Sequence, residues 1–154
     1  MIAALWLREQ LTPHEFELVD RYVNKMYDKF IRPIEFKEQE QGLYQMANGG
    51  LSILIYASWI NDKDLAAEEI KFRFRELNRI IFSDGYIDNN SFRGVRSQWY
   101  HSYGLDIALG YIYIADLWGA ETPETLRYKL VNAGKIANLA ITDWQKFKSR
   151  KFTG

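Results

Sequence analysis

Four side chains near the middle of the chain combine reactivity with anion recognition. Arg93, Arg96, Tyr100 and His101 stand directly ahead of an apolar stretch in DGYIDNNSFRGVRSQWYHSYGLDIALGYIYIADLWG, residues 84–119. A phenol beside guanidinium groups can pass a proton while the cations hold an anionic substrate. A tyrosine in water titrates near about 10, and neighbouring cations favour its phenolate form. If Arg96 and Tyr100 share a helix they are neighbours at i and i+4, and Arg93 at the first turn can fold its long side chain back toward them. Such a group suits abstraction of a proton next to a carboxylate together with protonation of a leaving oxygen. That is the chemistry of β-elimination in a uronic-acid polysaccharide.

The elements that must position these groups read as helices. Thr12-Pro13-His14-Glu15 and Thr122-Pro123-Glu124 each place Thr at an N-cap and Pro at the first helical position, and Glu15 completes a capping box. After Thr12, an apolar stripe of Phe16, Val19, Tyr22, Val23, Met26, Tyr27 and Phe30 predicts a core-facing helix that Pro33 ends. A second helix is expected over 43–60, its start weakened by Asn48-Gly49-Gly50, with a turn and cap at 62–64. A third over 65–82 sets Ala66, Ile70, Phe74, Leu77 and Ile81 on one face and most of its charges on the other. The helix over 97–118 is apolar nearly all round, which predicts an internal position. Another spans 123–140, and a last segment with Trp144 and Phe147 ends in a basic tail. Nothing alternates as a strand. The expectation is an all-α chain of about six helices in antiparallel pairs, either a solenoid or part of an α/α toroid, an incomplete barrel.

At 154 residues the chain is expected to form one helical domain, 1–154. With 20 basic and 20 acidic residues the formal charge is zero, so no global field draws it to nucleic acid or to an anionic membrane, and anion recognition must be local. There is no cysteine, which excludes disulfides and thiolate chemistry. No stretch reaches the roughly 18 apolar residues of a membrane span, and Met1 to Arg8 does not read as a signal peptide. Met1 opens inside a helical pattern, Ile2 to Leu7, without a cap, so a piece of a longer domain is expected, completed by further N-terminal helices or another chain. The two histidines, His14 and His101, lack ligand-like carboxylate spacing, so no metal site is expected. Asp84-Gly85 with Asp88-Asn89 lacks the ligand alternation of a calcium loop and reads as a turn. The aromatic share of 16% supplies flat faces for packing or for sugar rings, and Trp99 and Tyr86, bordering the polar segment, are the first choices for stacking.

Asp84-Gly85-Tyr86, Arg93-Gly94-Val95-Arg96, Tyr100-His101, Tyr103, Leu105 and the ending at 115–119 together resemble the alginate lyase family of α/α-toroid polysaccharide lyases. The likeness is most specific over 84–136 and weaker through Asn61-Asp62-Lys63-Asp64. It implies that Tyr100 is the catalytic acid, either alone or as acid and base together, that Arg93 neutralises or positions the uronate carboxylate, and that Arg96 and His101 support them. It also implies an upstream amide on the carboxylate, for which Gln45 or Asn48 is available. The implied substrate is an alginate-like polyuronate, the implied cofactor none, and the implied location of a longer family member periplasmic or secreted. The alternative expectation is a non-catalytic helical module of the same descent that binds an acidic glycan or a protein partner.

Overall fold

A computed structural model describes residues 1–34 and 43–150, with side chains at 1–33 and 50–150. Among these residues the secondary structure is helical, with seven α-helices and one isolated antiparallel bridge, Ile81 to Ile87. The helices are α1 (Ile2–Leu7), α2 (Pro13–Met26), α3 (Leu43–Ile60), α4 (Lys63–Ile80), α5 (Ser97–Leu117), α6 (Glu124–Thr142) and α7 (Trp144–Lys148). α3 lies centrally, packed against α1, α4 and α5, and α6 packs against α4, α5 and α7. Only Asn61 and Asp62 join α3 to α4, so these two packed helices run antiparallel.

Local chemistry explains the boundaries. Thr12 caps α2 through a reciprocal capping box with Glu15, whose carboxyl the Thr12 hydroxyl holds below the usual range. α3 ends where Asn61 adopts a left-handed φ of 56°, and Asp62 then caps α4 by accepting from the N–H groups of Asp64 and Leu65. At the start of α6 the expected Thr122 cap is not formed. Pro123, in extended conformation, is itself the N-cap and supplies no side-chain bond.

The main core is built from α3 to α6, with Leu54, Phe74, Leu77, Tyr111, Leu126 and Ala133 among its buried members. Three further expectations need correction. The stripe on α2 is only partly internal: Val23 and Tyr27 are buried, but Tyr22 and Phe30 are exposed. A π-helical turn, Tyr27–Ile31, follows α2 and rotates the chain, so Ile31 enters the core where Phe30 was expected. On α4 the apolar face is buried as expected, yet Glu69, Arg73 and Glu76 are buried as well. Finally, α5 is not internal all round. His101, Leu105, Ala108, Tyr111 and Ala115 face the core, while Trp99, Tyr103, Tyr113 and Leu117 are exposed.

Candidate functional site

The loop between α4 and α5 is fastened at both ends before it delivers Arg93. At its start, the Phe82 N–H donates to Tyr86 O and the Asp88 N–H to Ile80 O, closing a tight turn around Asp84-Gly85. This turn sits directly on α6. Gly85 has φ +92°, and a Cβ there would lie 2.3 Å from Asn132 C and 2.5 Å from Asn132 O, so only glycine permits the approach. Asn132 Nδ2 donates to Ser83 O and secures the same contact. At the other end, buried Asn90 donates through Nδ2 to Tyr100 O at 2.9 Å, tying the loop to the first turns of α5.

His101 is the strut beneath this loop. It is 0% exposed; its Nε2 lies 3.0 Å from Ala133 O and its Nδ1 2.8 Å from Ser91 Oγ. A carbonyl only accepts, so Nε2 carries the proton and Nδ1 accepts from the Ser91 hydroxyl. Ser91 Oγ in turn accepts from the Ile87 N–H at 2.8 Å. The chain of bonds joins the loop, α5 and α6 through a neutral imidazole. Burial pushes the His101 pKa down, opposed only in part by the bond to Ala133. The expected supporting contact between His101 and a substrate is therefore not available in this structure, because the ring points into the core with both nitrogens engaged.

Arg93 and Tyr100, seven residues apart, are brought together on the half-buried rim above that strut. The Arg93 guanidinium carbon lies 4.6 Å from the Tyr100 ring centroid, over its face, and Arg93 Nε donates to Asn89 O at 3.1 Å. Trp99 packs edge-on against Tyr100, with centroids 4.7 Å apart, and stacks on Tyr103 at 5.6 Å with an interplanar angle of 1°. Trp99 is 59% exposed, so this aromatic pair offers a flat, wet face beside the Arg93–Tyr100 contact. Arg96 is exposed at the start of α5, where its backbone N–H donates to Arg93 O in the 3-10 turn Gly94–Arg96. Tyr86, expected to stack on a sugar, belongs instead to the core. It is 6% exposed, stacks on Phe92 and Phe147 and donates its hydroxyl to Phe147 O at 2.8 Å. Burial raises its pKa, with Arg150 opposing and Asp84 adding to the rise. The side chains of Gln45 and Asn48 lie outside the described residues, although both positions fall on α3.

Two features escaped the sequence reading. The first is a buried ion pair where α3, α4 and α5 meet: Arg73 Nε donates to Glu69 Oε1 at 2.8 Å, with the Tyr111 hydroxyl close to the same oxygen. Burial, followed by the Glu69 charge, raises the Tyr111 pKa strongly. Gly50 makes room for this pair, since a Cβ there would lie 2.4 Å from Glu69 Oε1 and 2.8 Å from Arg73 Nε. The second is an apolar groove of about 980 Å³ between α1, α3 and α5, walled by Trp6, Leu51, Ile55, Tyr113 and Leu117. Gly110, where an added Cβ would meet nothing within 4 Å, leaves its floor open.

Among the described residues no group of three or more His, Asp or Glu side chains could hold a metal ion. No helix of the described residues is long and apolar enough to cross a membrane. Comparison with family models, with curated proteins and with solved structures gives no match in any of the three.

Proposed function

We propose that the chain is part of an α/α-toroid polysaccharide lyase that cleaves an alginate-like polyuronate by β-elimination at Tyr100 and Arg93. The observation that carries this reading is the convergence of those two side chains, 4.6 Å from guanidinium carbon to ring centroid, beside the exposed Trp99–Tyr103 pair. The resemblance of Arg93-Gly94-Val95-Arg96 through Tyr100-His101 to the alginate lyase family supports it. In the reaction, the uronate carboxylate binds Arg93, which stabilises the negative charge that develops as the proton on the adjacent carbon leaves. The Tyr100 oxygen takes that proton, the bond from the sugar to the glycosidic oxygen breaks, and the departing oxygen recovers a proton from the same phenol. One product ends in an unsaturated uronate and the other in a free hydroxyl. Trp99 and Tyr103 hold the neighbouring sugar rings.

The purified chain, incubated with polymannuronate, polyguluronate and polygalacturonate, is expected to generate the ultraviolet absorbance of the unsaturated product on at least one of them. Tyr100→Phe removes that activity. Absence of product from every polymer would sink the lyase reading for this chain.

One observation favours a second reading, a non-catalytic module that binds an acidic glycan. Arg93 covers the ring face of Tyr100, and His101, the neighbouring titratable group, is turned into the core. Quenching of Trp99 fluorescence by a polyuronate that is never cleaved would support this alternative.

A further inference from the structure

The segment that follows α7 reaches back onto the loop that carries Arg93. We propose that Arg150 is a positioning residue: its guanidinium clasps three aromatic rings of that loop and so fixes the backbone from which Arg93 reaches the face of Tyr100. The consequence for turnover rests on the lyase reading, whereas the consequence for the geometry of Arg93 does not.

The clasp joins parts that lie far apart in sequence. The Arg150 guanidinium carbon is 4.9 Å from the ring centroid of Phe82, 4.6 Å from that of Tyr86 and 5.5 Å from that of Phe92. Phe82 precedes the Asp84-Gly85 turn, Tyr86 follows it and Phe92 adjoins Arg93, so one cation ties both arms of the turn to the residue beside the site. Asp84 Oδ2, 2.7 Å from Arg150 Nε, holds the guanidinium there, while Asp84 Oδ1 accepts from the Tyr86 N–H. The base of the clasp is fixed as well. Buried Phe147 of α7 stacks on Tyr86 with centroids 5.5 Å apart, and its carbonyl accepts from the Tyr86 hydroxyl. Lys146 and Lys148, earlier in the same basic segment, are exposed, whereas the Arg150 side chain keeps only 26% of its surface.

The backbone on either side of Arg93 shows why such a hold matters. Gly94, the next residue, has φ +58°, and an added Cβ there would meet nothing within 4 Å, so on this side the chain can turn without a steric stop. On the other side stands Phe92, held by Arg150 and by its stack on Tyr86 at 5.9 Å. The bond from Arg93 Nε to Asn89 O does not replace that hold, because Asn89 belongs to the same loop and moves with it. Without the cation the two arms of the turn lose their cross-link to Phe92, and Arg93 pivots at Gly94 away from the phenol face. Asn90 and His101 still fasten the loop to α5 and α6, so the fold is kept and the loss is one of aim. Tyr100, Trp99 and Tyr103 are carried by α5 and stay in place.

The test compares the intact chain with Arg150→Ala, Arg150→Lys and Asp84→Asn. Amide hydrogen exchange at Ile87, Asp88 and Ser91 reports the loop, and exchange within α3 and α4 reports the fold as a whole. The δ-methylene proton resonances of Arg93, displaced by the ring current of Tyr100, report its aim without any substrate. Arg150→Ala is expected to speed loop exchange about tenfold while α3 and α4 are unchanged, and to move the Arg93 resonances toward those of an unstructured peptide. Arg150→Lys, which keeps the charge, recovers part of both, and Asp84→Asn, which keeps the rings and the cation, loosens the loop less than the alanine variant. On a polyuronate that the wild type cleaves, Arg150→Ala lowers kcat about tenfold and leaves KM nearly unchanged, since Trp99 and Tyr103 still hold the sugar rings. Loop exchange and Arg93 resonances unchanged in the alanine variant overturn the proposal, as does a speeding shared equally by α3 and α4. An unchanged kcat in an active, loosened variant overturns the positioning role. A wild type that yields no product from any polyuronate sinks the lyase reading alone, and the exchange and resonance readouts then decide the clasp.

Discussion

Replacing His101 with leucine distinguishes a strut from a substrate ligand. The change keeps most of the ring's volume but removes both polar ends, so the Ser91 hydroxyl and the Ala133 carbonyl, 2.8 and 3.0 Å from the imidazole, lose their partner. A buried polar group left unsatisfied costs about 1–3 kcal/mol, and because the Ser91 oxygen still accepts from the Ile87 N–H the loss for the pair is roughly 2–4 kcal/mol. Urea denaturation followed by circular dichroism reads this directly: with a slope of about 1–3 kcal/mol per molar, the midpoint falls by about 1–2 M. Acid supplies a second readout. The folded-state pKa of His101 is depressed by burial, while in the unfolded chain it returns to about 6.5. Below that pH the unfolded state binds a proton that the folded state refuses, so the stabilising contribution is complete above about 6.5 and is lost as pH falls toward the folded value. The wild type therefore loses stability between neutral and mildly acid pH, and the leucine variant lacks that component of the slope. An unchanged midpoint and an unchanged pH slope, with only weaker substrate binding, would refute the reasoning and place the imidazole at the substrate after all.

Two further expectations rest on backbone and charge. Gly85→Ala places a methyl group against the Asn132 and Ala133 backbone at φ +92° and should cost about 3 kcal/mol or more, read as a lowered melting temperature; a fully stable alanine variant would mean that the turn does not dock on α6. Arg73→Met or Glu69→Gln alone strands a buried partner and should destabilise by about 3–5 kcal/mol, whereas the double replacement should be markedly milder. Additive losses in that cycle, followed by chemical denaturation, would show that the two groups do not act as a pair.

Helix existence was legible because caps and periodicity are local. Thr12 with Glu15, Asp62 and the apolar face of α4 announce themselves within a few residues. What failed depends on neighbours. The π-helical turn at Tyr27–Ile31 shifts the α2 stripe by a fraction of a turn, and periodicity that assumes a regular helix cannot register it. Buried Glu69 and Arg73 look like surface charge until Gly50 of α3 is placed against them. At the site, the seven-residue separation of Arg93 and Tyr100 was readable, and the fold brings them into contact. Tyr86 and His101 were misjudged because an aromatic or imidazole beside a polar loop has the same local sequence whether it faces solvent or core. Only the packing of α6 and α7 against the loop decides between the two.

The convergence of Arg93 on Tyr100 as a site of elimination is tested most directly by following the unsaturated uronate released from polymannuronate by the wild type, Tyr100→Phe and Arg93→Ala, with each variant shown to be folded. Product from the wild type, none from Tyr100→Phe, and a large drop in kcat/KM for Arg93→Ala is the outcome expected. Equal product from the wild type and a folded Tyr100→Phe, or no product from the wild type on any polyuronate, would contradict it.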